Sequence, residues 1–121
     1  MKFNSAIILC GGKGTRLGSI SKKIPKTLVK IQKKEILWYI IEFLKKNNFN
    51  HFILPLGYKG NYIRNFVKKN NFFGSNVDLI NTGTNTNIGN RIYKVQKKIK
   101  SDNVLILNGD AIFNFNMKKI F

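Results

Sequence analysis

A glycine-rich segment near the start of the chain has the residue types that bind phosphate groups. Residues 11–17 read Gly-Gly-Lys-Gly-Thr-Arg-Leu and directly follow an apolar run at residues 5–10. Glycines let the backbone turn tightly, so several N–H groups can point at one anion. Lys13 and Arg16 add positive charge, and Lys26 follows ten residues later behind a proline. Because arginine binds phosphate oxygens in pairs and lysine acts as a point charge, this set predicts a site for several phosphates.

Two better-known glycine loops do not match this segment. The spacing of Gly12, Gly14 and Gly18 misses the dinucleotide-binding fingerprint by one residue, and no acid for a ribose follows the next predicted strand. The P-loop needs Ser or Thr after its lysine, whereas Lys13 is followed by glycine. A hydride-transfer enzyme and a conventional P-loop ATPase are therefore disfavoured. A tight turn with solvated charges remains the alternative interpretation.

One of the five acidic residues lies where a magnesium ligand is expected. Asp110 follows Gly109 at the end of an apolar segment, whereas the other four acids fall in a predicted helix, a strand and a polar turn. Mg²⁺ commonly takes one or two carboxylates together with substrate phosphate and water. Asp110 is therefore a candidate metal ligand, and the alternative is that it caps a turn or a helix.

The remaining residues of common catalytic types need no role. His51, the one histidine, is expected to face solvent or to be locally hydrogen-bonded. Cys10, at a predicted strand end, is expected to be a small buried apolar residue. A single cysteine cannot form an internal disulfide, so a reducing, cytoplasmic setting is expected. The apolar run is too short for a signal-peptide core or a membrane span.

The charge of the chain suggests nucleic-acid binding at first. The 121 residues include 22 Lys and Arg against 5 Asp and Glu, a formal charge of +17. However, the 19 Lys, 17 Asn and 17 Ile all have A/T-rich codons, and the lysine doublets are spread along the whole chain. We therefore interpret most of the charge as solvated surface. The 43% hydrophobic content is enough for the core of one domain over residues 1–121.

The apolar pattern predicts alternating strands and helices. Continuous apolar runs predict strands at residues 5–10, 52–54, 77–80 and 104–107. Apolar residues three or four apart predict helices at 35–46, around 62–67 and at 88–99. Pro55 is expected to mark the end of its strand or a sheet edge. Such an order indicates an α/β fold with a mostly parallel sheet, in which ligands bind beyond the carboxyl ends of the strands.

Three sequence blocks carry a family resemblance. Residues 6–17, 25–31 and 34–41, in this order and spacing, resemble the start of sugar-1-phosphate nucleotidyltransferases. Residues 57–60, 81–86 and 89–92 are most similar to the glucose-1-phosphate cytidylyltransferase branch. The resemblance runs from about residue 5 to 115.

This resemblance implies a fold and a reaction. The fold would be a Rossmann-like nucleotide-diphospho-sugar transferase fold, with flanking helices on a mostly parallel sheet. The reaction would join a nucleoside triphosphate, CTP being the best match, to a sugar-1-phosphate, glucose-1-phosphate being the best match, and would release pyrophosphate. The attacking phosphate oxygen is already anionic, so the protein needs only to position two anions and screen their repulsion.

The resemblance also assigns roles to residues of this sequence. Arg16 would hold and polarise the departing pyrophosphate, Lys26 would contact the reacting phosphates, and Asp110 would carry Mg²⁺. The loop at residues 82–86 would lie near the base and ribose. The expected nucleotide contacts are Leu9, Gly11, Gly12, Gly14, Thr15, Thr86 and Gly89.

The chain departs from the family pattern mainly in length. Family members are much longer, and their second half supplies another metal-binding Asp, much of the sugar pocket and usually the subunit interface. Ile24 and Asn90 also differ from the residues common at those positions. We therefore expect a split or truncated product, with a complementing second chain or a homo-oligomer as its partner and no membrane.

Two other functions remain open at this point. A basic nucleic-acid-binding module would explain the charge, although no helix-turn-helix, zinc or RNA-stacking signature is present in the sequence. A non-catalytic regulatory or assembly fragment would use an exposed apolar edge near the C-terminus to dock on another chain.

Overall fold

Four parallel strands form the central sheet of the protein. A computed structural model describes residues 4–10, 24–57, 59–83 and 87–109. The sheet strands are Ser5–Leu9 (β1), His51–Leu56 (β4), Asn76–Asn81 (β5) and Val104–Asn108 (β6). Their order across the sheet is β5, β4, β1, β6, and every neighbouring pair is parallel. The predicted α/β architecture with a parallel sheet is confirmed.

Among the described residues, three helices cover the two faces of this sheet. They are Ile36–Lys46 (α1), Gly60–Lys69 (α2) and Ile88–Val95 (α3), and a 3₁₀ turn, Gln96–Lys98, follows the last. Helices α1 and α2 pack on one face in the larger core cluster, which also contains Ala6, Ile8, Phe52 and Leu54. Helix α3 packs on the other face through Val95, which meets Ile7 and Ile53.

The core explains why β1 is apolar without interruption. Successive side chains of a strand point to opposite faces, so Ala6 and Ile8 meet α1 and α2 while Ile7 meets α3. All three side chains are fully buried. A strand between two helical layers must be apolar on both sides. Burial of one large aliphatic side chain such as Ile7 contributes about 1.5–3 kcal/mol.

A short hairpin precedes α1 and is not predicted by the apolar pattern. Lys30–Ile31 (β2) and Lys34–Glu35 (β3) pair in antiparallel fashion. The backbone N–H of Ile36 donates to the carbonyl of Val29 at 3.0 Å, which fixes where α1 begins. Glu35 was expected in the helix and instead lies in β3, at the N-cap position of α1.

The expectation for Pro55 is wrong. Strand β4 continues through Pro55 to Leu56 and lies inside the sheet, between β5 and β1. Pairing with β1 ends at Ile53, which is opposite Ile7. The carbonyl of Leu56 accepts from Thr82, on the β5 side, so the adjacent Pro55 faces the β1 side where no ladder remains. Its missing N–H therefore costs no hydrogen bond.

No helix in the described parts of the chain is long and apolar enough to span a membrane.

Candidate functional site

The carboxyl ends of β1 and β6 meet at one edge of the sheet. Leu9 and Asn108, the last residues of these two strands, are paired in register. The N–H of Gly109 donates to the carbonyl of Leu9 at 3.1 Å. The residues that lead to position 11 and the residues that lead to position 110 therefore lie side by side at this edge. This is the edge at which open parallel sheets bind their ligands.

The turn that carries Lys26 packs against this junction. Lys26–Leu28 form a 3₁₀ turn behind Pro25, whose carbonyl accepts from the N–H of Leu28 at 2.9 Å. A Cβ atom built at Gly109 would lie 2.3 Å from Thr27 Cγ2. Any side chain at this position would therefore force the buried Thr27 to move. Leu9, Gly109 and the Lys26 turn are thus brought together.

The second described part of the carboxyl edge lies where β5 ends and α3 begins. Thr82 follows β5, and its N–H donates to the carbonyl of Leu56 at 2.7 Å. Asn87 caps α3 by accepting from the N–H of Asn90 at 2.8 Å. Gly89, in the first turn of α3, is exposed. A Cβ atom there would meet only Asn87 Oδ1, at an ordinary 3.6 Å, so packing among the described residues does not require glycine.

A polar cleft of about 430 Å³ lies at the same edge, between the ends of β4 and β5 and the first turn of α2. Its basic lining residues are Lys59 and Arg64, and Asn81 contributes an amide. Lys59 has a left-handed backbone, with φ of 55°, and its ammonium group lies 5.6 Å from the centre of the Tyr62 ring. In the sequence, this region stands out only as part of the family resemblance. A basic pair beside a helix start is the signal that could have identified it.

Most of the residues with expected catalytic or binding roles lie outside the described residues. They are Gly11, Gly12, Gly14, Thr15, Arg16, Thr86 and Asp110. The described members of the set are Leu9, Lys26 and Gly89, and all three lie at the carboxyl edge. Their roles stay predictions.

The described acids do not form a metal site. No group of three or more His, Cys, Asp or Glu residues comes together within the described ranges. Asp78 binds His51, and Glu42 lies 3.4 Å from the Lys45 ammonium group on α1. The fit to Mg²⁺ therefore depends on Asp110, which lies outside the described residues.

His51 does not face solvent; it is hydrogen-bonded, as the other expectation had it, but to residues distant in sequence and not to local ones. Its side chain is fully buried. Nε2 lies 2.7 Å from Asp78 Oδ2, and Nδ1 lies 2.8 Å from Ser5 Oγ. With the Nε2 proton donated to the carboxylate, Nδ1 accepts from the serine hydroxyl. The three residues lie on three adjacent strands and are distant in sequence, so no local pattern reveals the contacts.

This serine, histidine and aspartate have the connectivity of a hydrolase triad but not its setting. Ser5 is fully buried and begins β1, so it lies at the amino edge of the sheet, opposite the candidate site. A nucleophile must reach its substrate. We therefore interpret the three residues as a polar link that joins β1, β4 and β5.

Cys10 is a buried apolar residue, as predicted. Its thiol donates to the carbonyl of Ile8 at 3.3 Å. Burial raises the pKa of the Cys10 thiol to about 12, and the neighbouring Thr27 side chain partly opposes this shift. The thiol is neutral at physiological pH and has no nucleophilic character.

The sequence matches a known protein family. A sequence model described as nucleotidyl transferase matches residues 5–121. The chain belongs to the nucleotidyl transferase family. The family and the fold expected from the three sequence blocks are both confirmed.

Curated members of the family with two different base specificities resemble this chain. It is 37% identical over 115 residues to the D-glycero-alpha-D-manno-heptose 1-phosphate guanylyltransferase of Campylobacter jejuni, covering 95% of this chain and 51% of that protein. It is 32% identical over 132 residues to a probable glucose-1-phosphate cytidylyltransferase of Bacillus subtilis, covering 93% of this chain and 52% of that protein. The chain spans about half the length of these relatives.

Solved structures of nucleotidyl transferases superpose well on the chain. HddC from Yersinia pseudotuberculosis, solved in complex with GMP-PN, has 37% identity and a TM-score of 0.76 over 89% of this chain and 48% of that one. The inositol-1-phosphate CTP transferase from T. maritima has 22% identity and a TM-score of 0.76 over 91% of this chain and 44% of that one. The second comparison supports the fold alone.

Proposed function

We propose that this chain provides the nucleotide-binding part of an enzyme that joins a nucleoside triphosphate to a sugar-1-phosphate and releases pyrophosphate. The observation that carries the proposal is the junction of Leu9, Gly109 and the Lys26 turn at the carboxyl edge. The glycine segment and Asp110 adjoin this junction in the sequence. A phosphate-binding segment, a basic turn and a carboxylate at one sheet edge suit a polyphosphate substrate.

The nucleotide would lie across the end of β4. In the strand order, β5 is separated from β1 by β4 alone, so Thr82 and the end of β1 are about 10 Å apart by two strand spacings. The phosphates would lie at β1, beside Arg16 and Lys26. The base and ribose would lie at the end of β5, near Gly89. The exposed first turn of α3 leaves room for them.

The chemistry needs no general base from the protein. The nucleophile is an oxygen of the sugar phosphate and is already negative, so the bond to the α-phosphorus forms as the bond to pyrophosphate breaks. Arg16 would bind the leaving pyrophosphate and Lys26 the reacting phosphates. Fixed cations stabilise the charge that develops in the transition state. The one histidine lies at the other edge of the sheet, which agrees with this scheme.

Asp110 is the residue that would hold Mg²⁺. A bound Mg²⁺ supplies charge neutralisation between the phosphate groups. In the described part of the chain, Asp78 pairs with His51, Glu42 pairs with Lys45, and no acidic residues cluster. The magnesium proposal therefore depends on Asp110 alone.

The proposal also names the nucleobase and the sugar. We take CTP and glucose-1-phosphate as the substrates, because residues 57–60, 81–86 and 89–92 resemble the cytidylyltransferase branch. The similarity to a heptose 1-phosphate guanylyltransferase makes GTP with a heptose phosphate the rival pair. Because the chain spans about half of its relatives, we propose that turnover needs a complementing chain or a second copy. A cytoplasmic location is proposed from the single free cysteine.

A nucleotide-panel titration tests the proposal. The chain is titrated with CTP, GTP, UTP and ATP, with and without Mg²⁺, and binding is followed by calorimetry. We expect Mg²⁺-dependent binding that Arg16→Ala weakens about tenfold or more, since charge-assisted contacts to phosphate are lost. Lys97→Ala, which removes a cation from the 3₁₀ turn after α3, is the matched control and should bind like the unmodified chain. Equal binding by Arg16→Ala would reject the proposal.

A further inference from the structure

Thr27 has a buried hydroxyl group that makes no hydrogen bond within the described part of the chain. Its side chain is 4% exposed, and no described residue donates to Oγ1 or accepts from it. Thr82, which is also buried, donates its hydroxyl to the carbonyl of Leu56 at 3.0 Å. Buried polar groups in native proteins are nearly always paired, because their removal from water is costly. The Thr27 hydroxyl therefore needs an acceptor from another source.

This hydroxyl belongs to the junction at the carboxyl edge. The Thr27 methyl group packs against Gly109, where a Cβ atom would lie 2.3 Å from Cγ2. The same side chain adjoins Cys10, and it partly lowers the raised pKa of that thiol. A thiol sulfur is only a weak acceptor, and the Cys10 proton is donated to the carbonyl of Ile8. Thr27 thus lies between the residues that follow β1 and β6, and Cys10 does not satisfy it.

The surroundings of Thr27 suit an anionic acceptor. The preceding residue, Lys26, brings a positive charge to the same turn, and this turn contains no acid. Lys26 is half-buried, so the turn can be reached from solvent on that side. Hydrogen bonds to charged oxygens are stronger than hydrogen bonds to neutral ones. A phosphate oxygen that enters the junction beside Lys26 would supply the acceptor that the hydroxyl lacks.

We propose that the Thr27 hydroxyl is a further phosphate-binding group, which donates a hydrogen bond to an anionic oxygen in the phosphate chain of the nucleotide. The inference rests on the proposed function, since it adds a residue to the phosphate side of the same site. In the free protein the unpaired hydroxyl lowers stability, and the bound ligand pairs it. Loss of the hydroxyl should therefore stabilise the free chain and weaken binding, a combination that a packing role does not produce.

The test removes the hydroxyl without changing the shape of the side chain. Thr27→Val is compared with the unmodified chain by urea denaturation and by calorimetric titration with inorganic tripolyphosphate, CTP and GTP, all with Mg²⁺. We expect a higher urea midpoint, because a buried unpaired polar group is gone. The Kd of tripolyphosphate and of the preferred nucleotide should rise about tenfold, from the loss of a hydrogen bond to a charged group. The two ligands should lose equally, because the contact is to phosphate.

Two further variants distinguish the hydroxyl from the methyl group. Thr27→Ser keeps the hydroxyl and removes the methyl group that packs against Gly109, so its urea midpoint should fall. Its Kd values should stay within about threefold of those of the unmodified chain, because the donor remains. Thr82→Val is the control for stability, since it removes a paired hydroxyl and should lower the urea midpoint.

The outcomes separate the inference from the proposed function. If the unmodified chain binds neither the nucleotides nor tripolyphosphate, the proposed function fails and the inference fails with it. If it binds them and Thr27→Val binds them equally well, the inference alone fails. A Thr27→Val protein that is less stable or does not fold would assign Thr27 a structural role and overturn the inference. A loss confined to the nucleotides would also overturn it, because the hydroxyl would then serve the base or the ribose.

Discussion

Two glycines at the carboxyl edge are glycines for different reasons. Gly109 has no room for a side chain, because a Cβ atom would overlap Thr27. Gly89 has room, yet its position in a helix disfavours glycine intrinsically. No described residue gives Gly89 a packing reason, which agrees with the proposed position of the ribose beside it.

Substitution of Gly89 by alanine should separate stability from binding. For Gly89→Ala we expect the free energy of unfolding to stay the same or rise by up to about 1 kcal/mol, since alanine favours helix. Nucleotide affinity should fall about tenfold or more, because a methyl group would enter the space near the ribose. Urea denaturation and calorimetry measure the two effects.

Gly109→Ala is the matched comparison for Gly89→Ala. It should lower the free energy of unfolding by about 1–3 kcal/mol, because the methyl group would overlap Thr27. A Gly89→Ala protein that binds nucleotide as tightly as the unmodified chain would contradict the placement of Gly89 beside the ligand.

The raised pKa of Cys10 predicts a specific pH dependence. The thiol has an ordinary value of 9.0 and a value of about 12 in the folded protein. The neutral thiol therefore makes its full contribution to the free energy of unfolding below about pH 9, and this contribution is lost as the pH rises toward 12. Between these limits the unmodified chain should lose more unfolding free energy than Cys10→Ala, measured by urea titration. All other ionisable groups are common to both proteins, so the difference between the two isolates the thiol. If the free energy of unfolding fell with pH at the same rate in both proteins, the burial of this thiol would be contradicted.

Among the shorter elements, the turn between α2 and β5 carries unusual backbone strain. Asn71, Phe72 and Phe73 all have a left-handed backbone, with φ between 53° and 55°. Such a conformation costs about 1–2 kcal/mol for a residue other than glycine. Phe73 offsets this by packing on Phe66, with ring centres 5.6 Å apart and only 5% exposure. Phe72 is 39% exposed and gains much less.

Phe72→Asn should therefore stabilise the protein. Asparagine tolerates the left-handed region, and little burial is lost, so we expect the free energy of unfolding to rise by about 0.5 kcal/mol. Phe73→Asn, one residue later, should lower it by about 3 kcal/mol or more, because it empties a core position. Thermal and urea denaturation of the pair would show the contrast. A loss of stability in both variants would argue against strain at Phe72.

The elements with a strong apolar pattern were predictable from the sequence. Helices α1 and α2 and strand β1 bury nearly complete apolar faces, so periodicity predicts them closely. The hairpin of β2 and β3 was missed because two-residue strands have no periodicity. The helix at 88–99 ends at Val95, although Ile99 still packs in the core beyond a 3₁₀ turn.

The site was predictable only in part. Strand ends and glycines indicate the carboxyl edge, and Leu9, Lys26 and Gly89 lie there. The link between Arg91 and Thr82 joins the end of β5 to α3, and a single sequence carries no sign of such a contact. The same limit applies to His51 and its partners.

On the scale of the whole molecule, part of the positive charge has a structural explanation. Lysine doublets occupy the last turns of α1 and α2 and the 3₁₀ turn after α3. Cations at helix C-termini are stabilised by the helix dipole. Each of these helices runs back to begin the next parallel strand, so the doublets lie at the amino edge, opposite the candidate site. These six lysines thus have a structural explanation, and they no longer need a nucleic acid to account for them.

The exposed edge strand β6 favours the alternative that the chain is a non-catalytic fragment that docks on another chain. Within the described residues, β6 pairs with β1 alone. Leu105 and Ile106, which point to opposite faces of β6, are 39% and 43% exposed. An exposed apolar edge strand is a surface that tends to pair with another strand. The same surface suits the completion of a nucleotidyl transferase, so it is compatible with the proposed function.

The most direct test of the central claim is to map nucleotide binding onto the backbone by NMR. On titration with CTP or GTP and Mg²⁺, the account predicts the largest amide shifts at the carboxyl edge, at Leu9, Lys26, Gly89 and Gly109. Amides of the amino edge, such as those of Asn50 and Asn76, should change little. Shifts concentrated at the amino edge and at the lysine doublets would contradict the claim that the ends of β1, β5 and β6 bind the nucleotide.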